Sequence, residues 1–403
     1  MARCGGRRTR AAVGGAVASW WLLAGSVSGA QAQVRAAEEL TVERIFGSRE
    51  FAPDLVPLRW MADGRHYTVV EPDRAGGTHL VRVEAETGRR DTLVRASELV
   101  PPGASEPVAI EDYAFSADGV RLLVFTNTVR VWRYNTKGTY YVWDFEARRL
   151  SPVSTRPGYQ MFAKFSPDGR YVAFVRENDL YVTDLETGAE RALTTDGSEE
   201  IVNGTSDWVY EEEFDLRDGF RWSPDGRRIA FWRFDQSPIR SFYLIDEMPL
   251  YPELVPVRYP KAGTPNSRVR LGVIELETGA VTWVDTGSDP EAYLPRMGFA
   301  GSPDEIWFLR MNRHQTQVEL WWADVRTGAA RRALAEEDSA WIDLQDPIWI
   351  RDGREFLWWS ERDGRTHLYL YRRDGRLVRQ VTRGEFDVTD VFAVDERRGV
   401  VYF

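Results

Sequence analysis

Cysteine is nearly absent from this sequence, since Cys4 is the one thiol among 403 residues. It lies ahead of the apolar stretch from Ala11 to Gly29, so a chain cleaved after that stretch carries no thiol. This excludes a disulfide framework, a cysteine nucleophile and a cysteine-based metal site in the cleaved chain. It also argues against a lipoprotein anchor, which needs a cysteine directly after the apolar stretch.

Lysine is almost as rare, and the arginines are scattered among acidic residues. Only Lys137, Lys164 and Lys261 are lysines among the 52 basic residues, and the formal charge is −10. Because the sequence contains no basic patch, nothing in it predicts nucleic-acid binding. An acidic surface weakly favours cationic ligands.

The N-terminal segment lacks acidic residues and has the three parts of an export signal. A basic region precedes the apolar stretch, and Ala30-Gln31-Ala32 is a typical cleavage site. We therefore predict a signal peptide over residues 1–32, a leader over 33–44 and a periplasmic or extracellular location. A retained membrane anchor is the alternative, but glycine and serine interrupt the apolar stretch. We expect no membrane association after cleavage.

One pattern recurs about every 50 residues along the rest of the chain. It is an aromatic residue, a turn that usually contains Asp-Gly, and a β-rich apolar run. Such turns supply the positive φ angles that tight hairpins need, and β-branched and aromatic runs favour strands. The pattern occurs at Trp60–Gly64, Phe115–Gly119, Phe165–Gly169, Trp222–Gly226, Phe299–Asp304, Trp349–Gly353 and Phe392–Gly399. We predict an all-β fold, a β-propeller of four-stranded blades over residues 45–403, because a parallel β-helix has shorter periods.

About seven blades are visible, and we expect the last one to be incomplete, with one strand at Val400–Phe403. A terminal blade with one strand leaves an open edge. We therefore expect that the chain is a piece of a longer protein or needs more sequence to close.

The interval after Trp222 exceeds the period and is rich in proline. Tyrosine and valine alternate there with Pro249, Pro252, Pro256 and Pro260. We predict an extended arm near residues 245–268 that leaves the propeller and mediates a homodimer. A disordered loop is the alternative, although the apolar content argues against it.

Three consecutive carboxylates, Glu211, Glu212 and Glu213, lie in a segment near residues 203–218. Because adjacent like charges do not strengthen a strand, we predict a helical turn, in which successive side chains diverge by about 100°. Two carboxylates that converge on a cavity suit the ammonium group of a peptide N-terminus. A solvated acidic turn is the alternative.

The sequence resembles the N-terminal propeller of the dipeptidyl peptidase IV group of prolyl-oligopeptidase-like serine peptidases, in its bacterial form. The resemblance covers roughly residues 40–403, and the acidic motif is its most specific part. The motifs that carry it are Asp207-Trp208-Val209-Tyr210-Glu211-Glu212-Glu213, Arg258-Tyr259-Pro260-Lys261-Ala262-Gly263, Met311-Asn312-Arg313-His314-Gln315, Trp359-Ser360-Glu361-Arg362-Asp363-Gly364, His367-Leu368-Tyr369-Leu370-Tyr371 and Val388-Thr389-Asp390.

The resemblance implies an eight-bladed propeller that caps an α/β-hydrolase domain and helps to release dipeptides, with Pro or Ala second. It implies that Glu212 and Glu213 bind the substrate ammonium, while Glu211 is structural and could pair with an arginine. Val131-Trp132-Arg133-Tyr134 matches the context of an arginine that contacts the substrate carbonyl, so Arg133 is a further candidate. An ordinary strand arginine stacked on tryptophan is the alternative for Arg133.

The sequence has no Gly-x-Ser-x-Gly motif, which carries the nucleophile of α/β-hydrolases. None of its histidines (His66, His79, His314 and His367) has a triad-like setting, and no spacing predicts a metal or a cofactor. The resemblance therefore places the catalytic serine, aspartate and histidine beyond residue 403, in the missing hydrolase domain, and the chain alone is predicted to bind peptides without cleaving them. The alternative is a free-standing TolB-like propeller that binds a protein partner.

Overall fold

The computed structural model describes residues 40–48, 50–53, 57–74 and 76–403. The predicted signal peptide, Cys4 and residues 33–39 of the predicted leader lie outside these ranges. The chain divides into two units, with the boundary between Pro57 and Leu58. In the first, the short helix α1 (Val42–Phe46) begins after Thr41, whose hydroxyl accepts a hydrogen bond from the backbone N–H of Arg44 at 3.2 Å.

The second unit is a series of antiparallel sheets, which we call blades 1 to 7 in chain order. Blade 1 contains β1 (Leu58–Trp60), β2 (His66–Pro72), β3 (Thr78–Glu84) and β4 (Arg90–Val94). Blade 2 contains β5 (Asp112–Phe115), β6 (Arg121–Val131), β7 (Tyr134–Asp144) and β8 (Arg149–Pro152). Blade 3 contains β9 (Met161–Phe165), β10 (Tyr171–Arg176), β11 (Asp179–Asp184) and β12 (Glu190–Ala192). A 3-10 helix, Ala96–Glu98, follows blade 1.

Blade 4 has five strands: β13 (Ile201–Asn203), β14 (Phe220–Trp222), β15 (Arg228–Asp235), β18 (Arg268–Glu275) and β19 (Val281–Trp283). Helix α2 (Trp208–Phe214) lies between β13 and β14. A separate hairpin of β16 (Ser241–Asp246) and β17 (Glu253–Arg258) lies between β15 and β18.

The last three blades follow the same order along the chain. Blade 5 contains β20 (Tyr293–Phe299), β21 (Glu305–Met311), β22 (Gln317–Asp324) and β23 (Ala330–Glu337). Blade 6 contains β24 (Ile348–Ile350), β25 (Glu355–Ser360), β26 (His367–Arg372) and β27 (Leu377–Gln380). Blade 7 contains β28 (Ala393–Asp395) and β29 (Val400–Tyr402).

The core lies between consecutive blades, as a propeller requires. Along β10, Val172 and Phe174 pack toward blade 2, whereas the alternating residues Ala173 and Val175 pack toward blade 4. This is the two-residue period of a strand that is buried on both faces. The predicted all-β propeller is therefore confirmed. The expected single strand of blade 7 is corrected to two, because the three residues of β28 pair with β29. They were too few to recognise as a strand.

The Asp-Gly motifs are the turns between the first and second strands of the blades. In blade 3, Ser166 donates a hydrogen bond to Asp168, and Gly169 has a φ of 71°. The third and fourth strands are joined by turns such as Thr187-Gly188 in blade 3. Because the four strands of a blade alternate in direction, both kinds of turn lie at one end, which we call the turn end. The turns between second and third strands and the connections between blades lie at the other end, which we call the site end.

The predicted arm is a β-hairpin that begins slightly earlier than expected, at Ser241. Pro256 lies in β17, opposite Tyr243, and a proline is tolerated there because β17 has an unpaired edge. Within the described residues, neither helix has the length and hydrophobicity that are needed to cross a bilayer.

Candidate functional site

Helix α2, which carries the acidic run, begins at a well-defined N-cap. Asp207 is buried, accepts a hydrogen bond from the backbone N–H of Tyr210 at 2.9 Å and accepts another from the hydroxyl of Ser267 at 2.6 Å. Burial raises the pKa of the Asp207 carboxyl. The helix ends at Asp215, which has a left-handed conformation with a φ of 54°. The predicted helical turn is thus a short helix with a cap at each end.

The orientation of α2 is set by its apolar face. Val209, Tyr210 and Phe214 are buried, and the Tyr210 ring packs edge-on against Phe234 with ring centroids 4.8 Å apart. The hydroxyl of Tyr210 accepts a hydrogen bond from the backbone N–H of Leu294 at 2.8 Å. Since these residues point into the core, the three glutamates between Tyr210 and Phe214 lie on the remaining faces of the helix.

The structure brings two of the predicted binding residues, Glu212 and Arg133, into contact. Oε2 of Glu212 lies 2.8 Å from Nε of Arg133, and the two side chains are 15% and 73% exposed. Glu213, at the next position of the helix, is exposed. The arginine partner that we considered for Glu211 is therefore found at Glu212, because the turn that carries Arg133 reaches this part of the helix.

Glu211 has a different environment from the two acids that follow it. Its Oε1 atom is buried and has no hydrogen-bond partner within the described part of the chain. Burial, together with repulsion from Glu212 and Asp215, raises the pKa of Glu211 to about 7, while the attraction of Arg217 opposes this rise. The carboxyl of Glu211 is therefore partly protonated near neutral pH.

Arg133 lies in the tight turn Trp132–Arg133 between β6 and β7, at the site end of blade 2. Trp132 has a φ of 53°, which directs the chain sharply from one strand into the other. Both strands are 11 residues long and thus carry the turn beyond the neighbouring sheets. Arg133 consequently belongs to a hairpin tip rather than to the body of a strand.

Arg217 was missed in the sequence, although it lies at the same site. Its guanidinium carbon is 3.8 Å from the centroid of the Tyr134 ring, and it pairs with Asp215 at 2.6 Å. Two features of the sequence could have indicated its role. Arg217 follows the acidic run closely, and Tyr134, an aromatic residue on which an arginine can stack, follows Arg133 directly. Arg217 is therefore a second link between the hairpin tip and the α2 segment.

A cavity of about 280 Å³ lies at the site end between blades 5 and 6. It is connected to α2 through Arg296, which donates a hydrogen bond to the carbonyl of Phe214 at 2.6 Å and pairs with Asp346. The carbonyl of Asp346 in turn accepts a hydrogen bond from the indole of Trp359, which lines the cavity, at 3.1 Å. The lining includes more carboxylates than guanidinium groups, so it favours cationic ligands.

His367 and His66 have structural surroundings. His367 is buried between the hydroxyl of Thr382 and the carbonyl of Gly384, each at 3.1 Å. His66 lies 2.7 Å from Asp63 in the first Asp-Gly turn, at the turn end. Among the described residues, no group of three acidic, histidine or cysteine side chains is arranged to hold a metal ion.

Fold and site together define the class: a β-propeller that carries a carboxylate-bearing helix and an arginine hairpin tip at one end. The chain belongs to the family of the dipeptidyl peptidase IV N-terminal region, whose model matches residues 116–403.

Named relatives agree with this assignment. A probable dipeptidyl peptidase 4 from Aspergillus fumigatus is 28% identical over 387 residues, which are 91% of this chain and 49% of that protein. Dipeptidyl aminopeptidase B from Saccharomyces cerevisiae is 31% identical over 242 residues, which are 57% of this chain and 28% of that protein. The chain spans about half the length, or less, of these curated relatives.

Two solved structures share the fold. Dipeptidyl peptidase 4 from Porphyromonas gingivalis has a TM-score of 0.82 and 31% identity, over 90% of this chain and 51% of that chain. A putative dipeptidyl aminopeptidase IV from Bacteroides ovatus has a TM-score of 0.68 over 87% of this chain and 50% of that chain. Its identity is 22%, so it supports the fold alone.

Proposed function

We propose that this chain is the substrate-anchoring propeller of an exported serine exopeptidase that releases Xaa-Pro and Xaa-Ala dipeptides from peptide N-termini. Glu212 and Glu213 bind the free ammonium group, and Arg133 binds a carbonyl oxygen of the same peptide. The observation that carries the proposal is the 2.8 Å contact of Arg133 with Glu212, since it unites the predicted residues of two separate blades around one cation-binding carboxylate.

The chemistry of an ammonium group explains why such a site selects N-termini. The group has three N–H donors and one positive charge, and two adjacent carboxylates satisfy both. An acetylated N-terminus has lost the charge and two of these donors, so it would leave carboxylates unpaired. Anchoring the terminus at a fixed distance from a nucleophile then determines how many residues are released.

Cleavage itself is assigned to a hydrolase domain that would supply the serine, aspartate and histidine. This division of labour is supported by the names of the relatives, which are dipeptidyl peptidases about twice the length of this chain or more. The chain's own role is then binding and orientation of the peptide. The site end, which bears the acidic helix, is the end that would face such a domain.

Calorimetric titration of the chain with Ala-Pro and with N-acetyl-Ala-Pro tests the proposal. The free dipeptide should bind at least tenfold more tightly than the acetylated one, and the double substitution of Glu212→Gln and Glu213→Gln should abolish this preference. Glu186→Gln is the matched control, because this glutamate is 66% exposed at the turn end. Equal affinity for the two dipeptides, or an unchanged preference in the double variant, would disprove the site.

The β16–β17 hairpin is proposed as a homodimer contact, as predicted for the arm near 245–268. Its exposed apolar side chains support this role, among them Ile245, Leu250 and Leu254 at 61%, 92% and 65% exposure. Sedimentation analysis should show a dimer that Leu250→Asp with Leu254→Asp dissociates, while Leu377→Asp on blade 6 leaves it intact. A wild-type chain that is monomeric at micromolar concentration would contradict the proposal.

Export is proposed from the predicted signal peptide. Residues 1–32, fused ahead of an export-dependent reporter in a bacterial host, should direct it out of the cytoplasm with cleavage after Ala32. Replacing the basic residues of the segment should abolish transfer. Retention of an uncleaved fusion in the inner membrane would instead support the membrane-anchor alternative.

A further inference from the structure

Arg217 joins three parts of the site through separate contacts. Its guanidinium stacks on Tyr134 at 3.8 Å and pairs with Asp215 at 2.6 Å, and its side chain is 25% exposed. Its backbone carbonyl accepts a hydrogen bond from the hydroxyl of Thr205 at 3.0 Å. The next residue, Asp218, receives the ammonium of Lys164 at 2.5 Å. Arg217 therefore extends from a backbone segment that is itself held in place.

The hairpin tip, in contrast, is joined to the body of its sheet through an irregular part of the β6–β7 pairing. The pairing of β6 with β7 shifts register twice between Thr126 and Arg130, and the tip lies beyond these irregularities. Two further contacts attach it to the α2 segment: the ion pair of Arg133 with Glu212, and the stacking of Tyr134 on Arg217.

These two contacts differ in what happens to them when a peptide binds. An ammonium group that takes Glu212 competes directly with Arg133 for the same carboxylate. The contact of Tyr134 with Arg217 involves neither of these side chains, so it persists. While the peptide enters, the contact of Tyr134 with Arg217 therefore keeps Arg133 close to the ligand.

We propose that Arg217 is a positioning residue for the amine-binding site, which clamps the hairpin tip to helix α2 while Glu212 exchanges Arg133 for the peptide ammonium. This inference rests on the proposed function of Glu212, Glu213 and Arg133. The clamp acts through Tyr134, and Arg217 itself touches no substrate.

Arg217 also has an electrostatic effect that a purely structural residue lacks. Among the charged groups that act on Glu211, Arg217 is the one that stabilises its ionised form, whereas Glu212 and Asp215 oppose it. Removing this charge extends the pH range in which Glu211 is protonated. The dependence of peptide affinity on pH should then shift upward, because the helix acquires its full negative charge only at higher pH.

The test compares the affinity of Ala-Pro for Arg217→Gln, Arg217→Lys and Tyr134→Leu between pH 5.5 and 8.5. Arg217→Gln should weaken binding about three- to thirtyfold, as expected for loss of a cation–π contact of this kind, and shift the pH profile upward. Tyr134→Leu should weaken binding without the shift. Arg217→Lys should retain the pH profile but not the full affinity, because an ammonium lacks the planar stacking surface.

Amide hydrogen exchange supplies a second measurement that needs no ligand. Residues 131–135 should exchange faster in Arg217→Gln and Tyr134→Leu than in the wild type, while the blade cores stay unchanged. Arg326→Gln is the matched control, since this arginine is 69% exposed at the turn end and pairs with Asp304 at 3.1 Å.

Failure of the amine site and failure of the Arg217 clamp give different results. A wild-type chain that does not prefer Ala-Pro over its acetylated form overturns the proposed amine site. A wild type with that preference, combined with an Arg217→Gln variant of unchanged affinity, pH profile and exchange, overturns the role of Arg217 alone.

Discussion

Nε of Arg133 lies 2.8 Å from Oε2 of Glu212, so the hairpin tip of blade 2 meets helix α2, between β13 and β14 of blade 4, through an ion pair. Measurements of peptide affinity and of the free energy of unfolding can distinguish a contact that serves binding from one that stabilises the fold. An ion pair whose arginine is as exposed as Arg133, at 73%, contributes about 1 kcal/mol or less to the free energy of unfolding.

Arg133→Gln should therefore change the free energy of unfolding, measured in urea, by less than about 1 kcal/mol. The same substitution should weaken the binding of Ala-Pro by about tenfold or more, because a hydrogen bond between a charged group and a carbonyl contributes about 1.5–3 kcal/mol. A loss of stability without a loss of affinity would show that Arg133 serves the fold and not the ligand.

Tyr210 provides the opposite case, a side chain near the site whose role is structural. Tyr210→Phe leaves the buried N–H of Leu294 without its acceptor, so the free energy of unfolding should fall by about 1–3 kcal/mol. Tyr243→Phe on the exposed β16 strand is the matched control and should have little effect, since Tyr243 is 57% exposed. Similar urea midpoints for the two variants would contradict this account of α2.

Because the pKa of Glu211 is raised, the free energy of unfolding should fall as the pH rises. Its pKa is about 7 in the folded chain and 4.5 ordinarily, so the folded state holds the proton more tightly. The stabilisation that protonation provides is complete below about pH 4.5 and is lost as the pH rises through about 7. Glutamine at position 211 cannot ionise. The free energy of unfolding of Glu211→Gln, measured in urea and compared with that of the wild type, should therefore rise as the pH increases from about 4.5 to about 7. A constant difference between the two proteins would show that Glu211 is not perturbed.

Alanine substitutions at two glycines with positive φ can distinguish the cost of backbone strain from the cost of a steric clash between blades. Gly301 and Gly279 both have a φ of 73°, but a Cβ on Gly301 would overlap the carbonyl oxygen of Asp352 in blade 6, whereas Gly279 has open space. Gly279→Ala should cost about 1–2 kcal/mol, the penalty of a left-handed conformation. Gly301→Ala should cost clearly more, because blades 5 and 6 must move apart. Equal losses in thermal denaturation would exclude a tight approach of these two blades.

Much of the fold was predictable because its signals are local. The Asp-Gly turns, the alternating strands and the apolar runs such as Val172–Val175 repeat along the chain, and each hairpin follows from a few adjacent residues. The helical turn at Glu211–Glu213 was predictable for the same reason. The short strand β28 was not, since three residues carry too little pattern.

The arrangement of the site depends on contacts between distant parts of the chain. The sequence indicated which residues are acidic and where the blades begin. It did not determine that Arg133 meets Glu212, that Arg217 stacks on Tyr134, or that Oε1 of Glu211 is buried without a partner. The two contacts join the hairpin tip of blade 2 to the α2 segment of blade 4, and all three features arise because packing of the sheets brings the site-end connections together. Charge and turn type are local properties, whereas contact and burial depend on the whole assembly of blades.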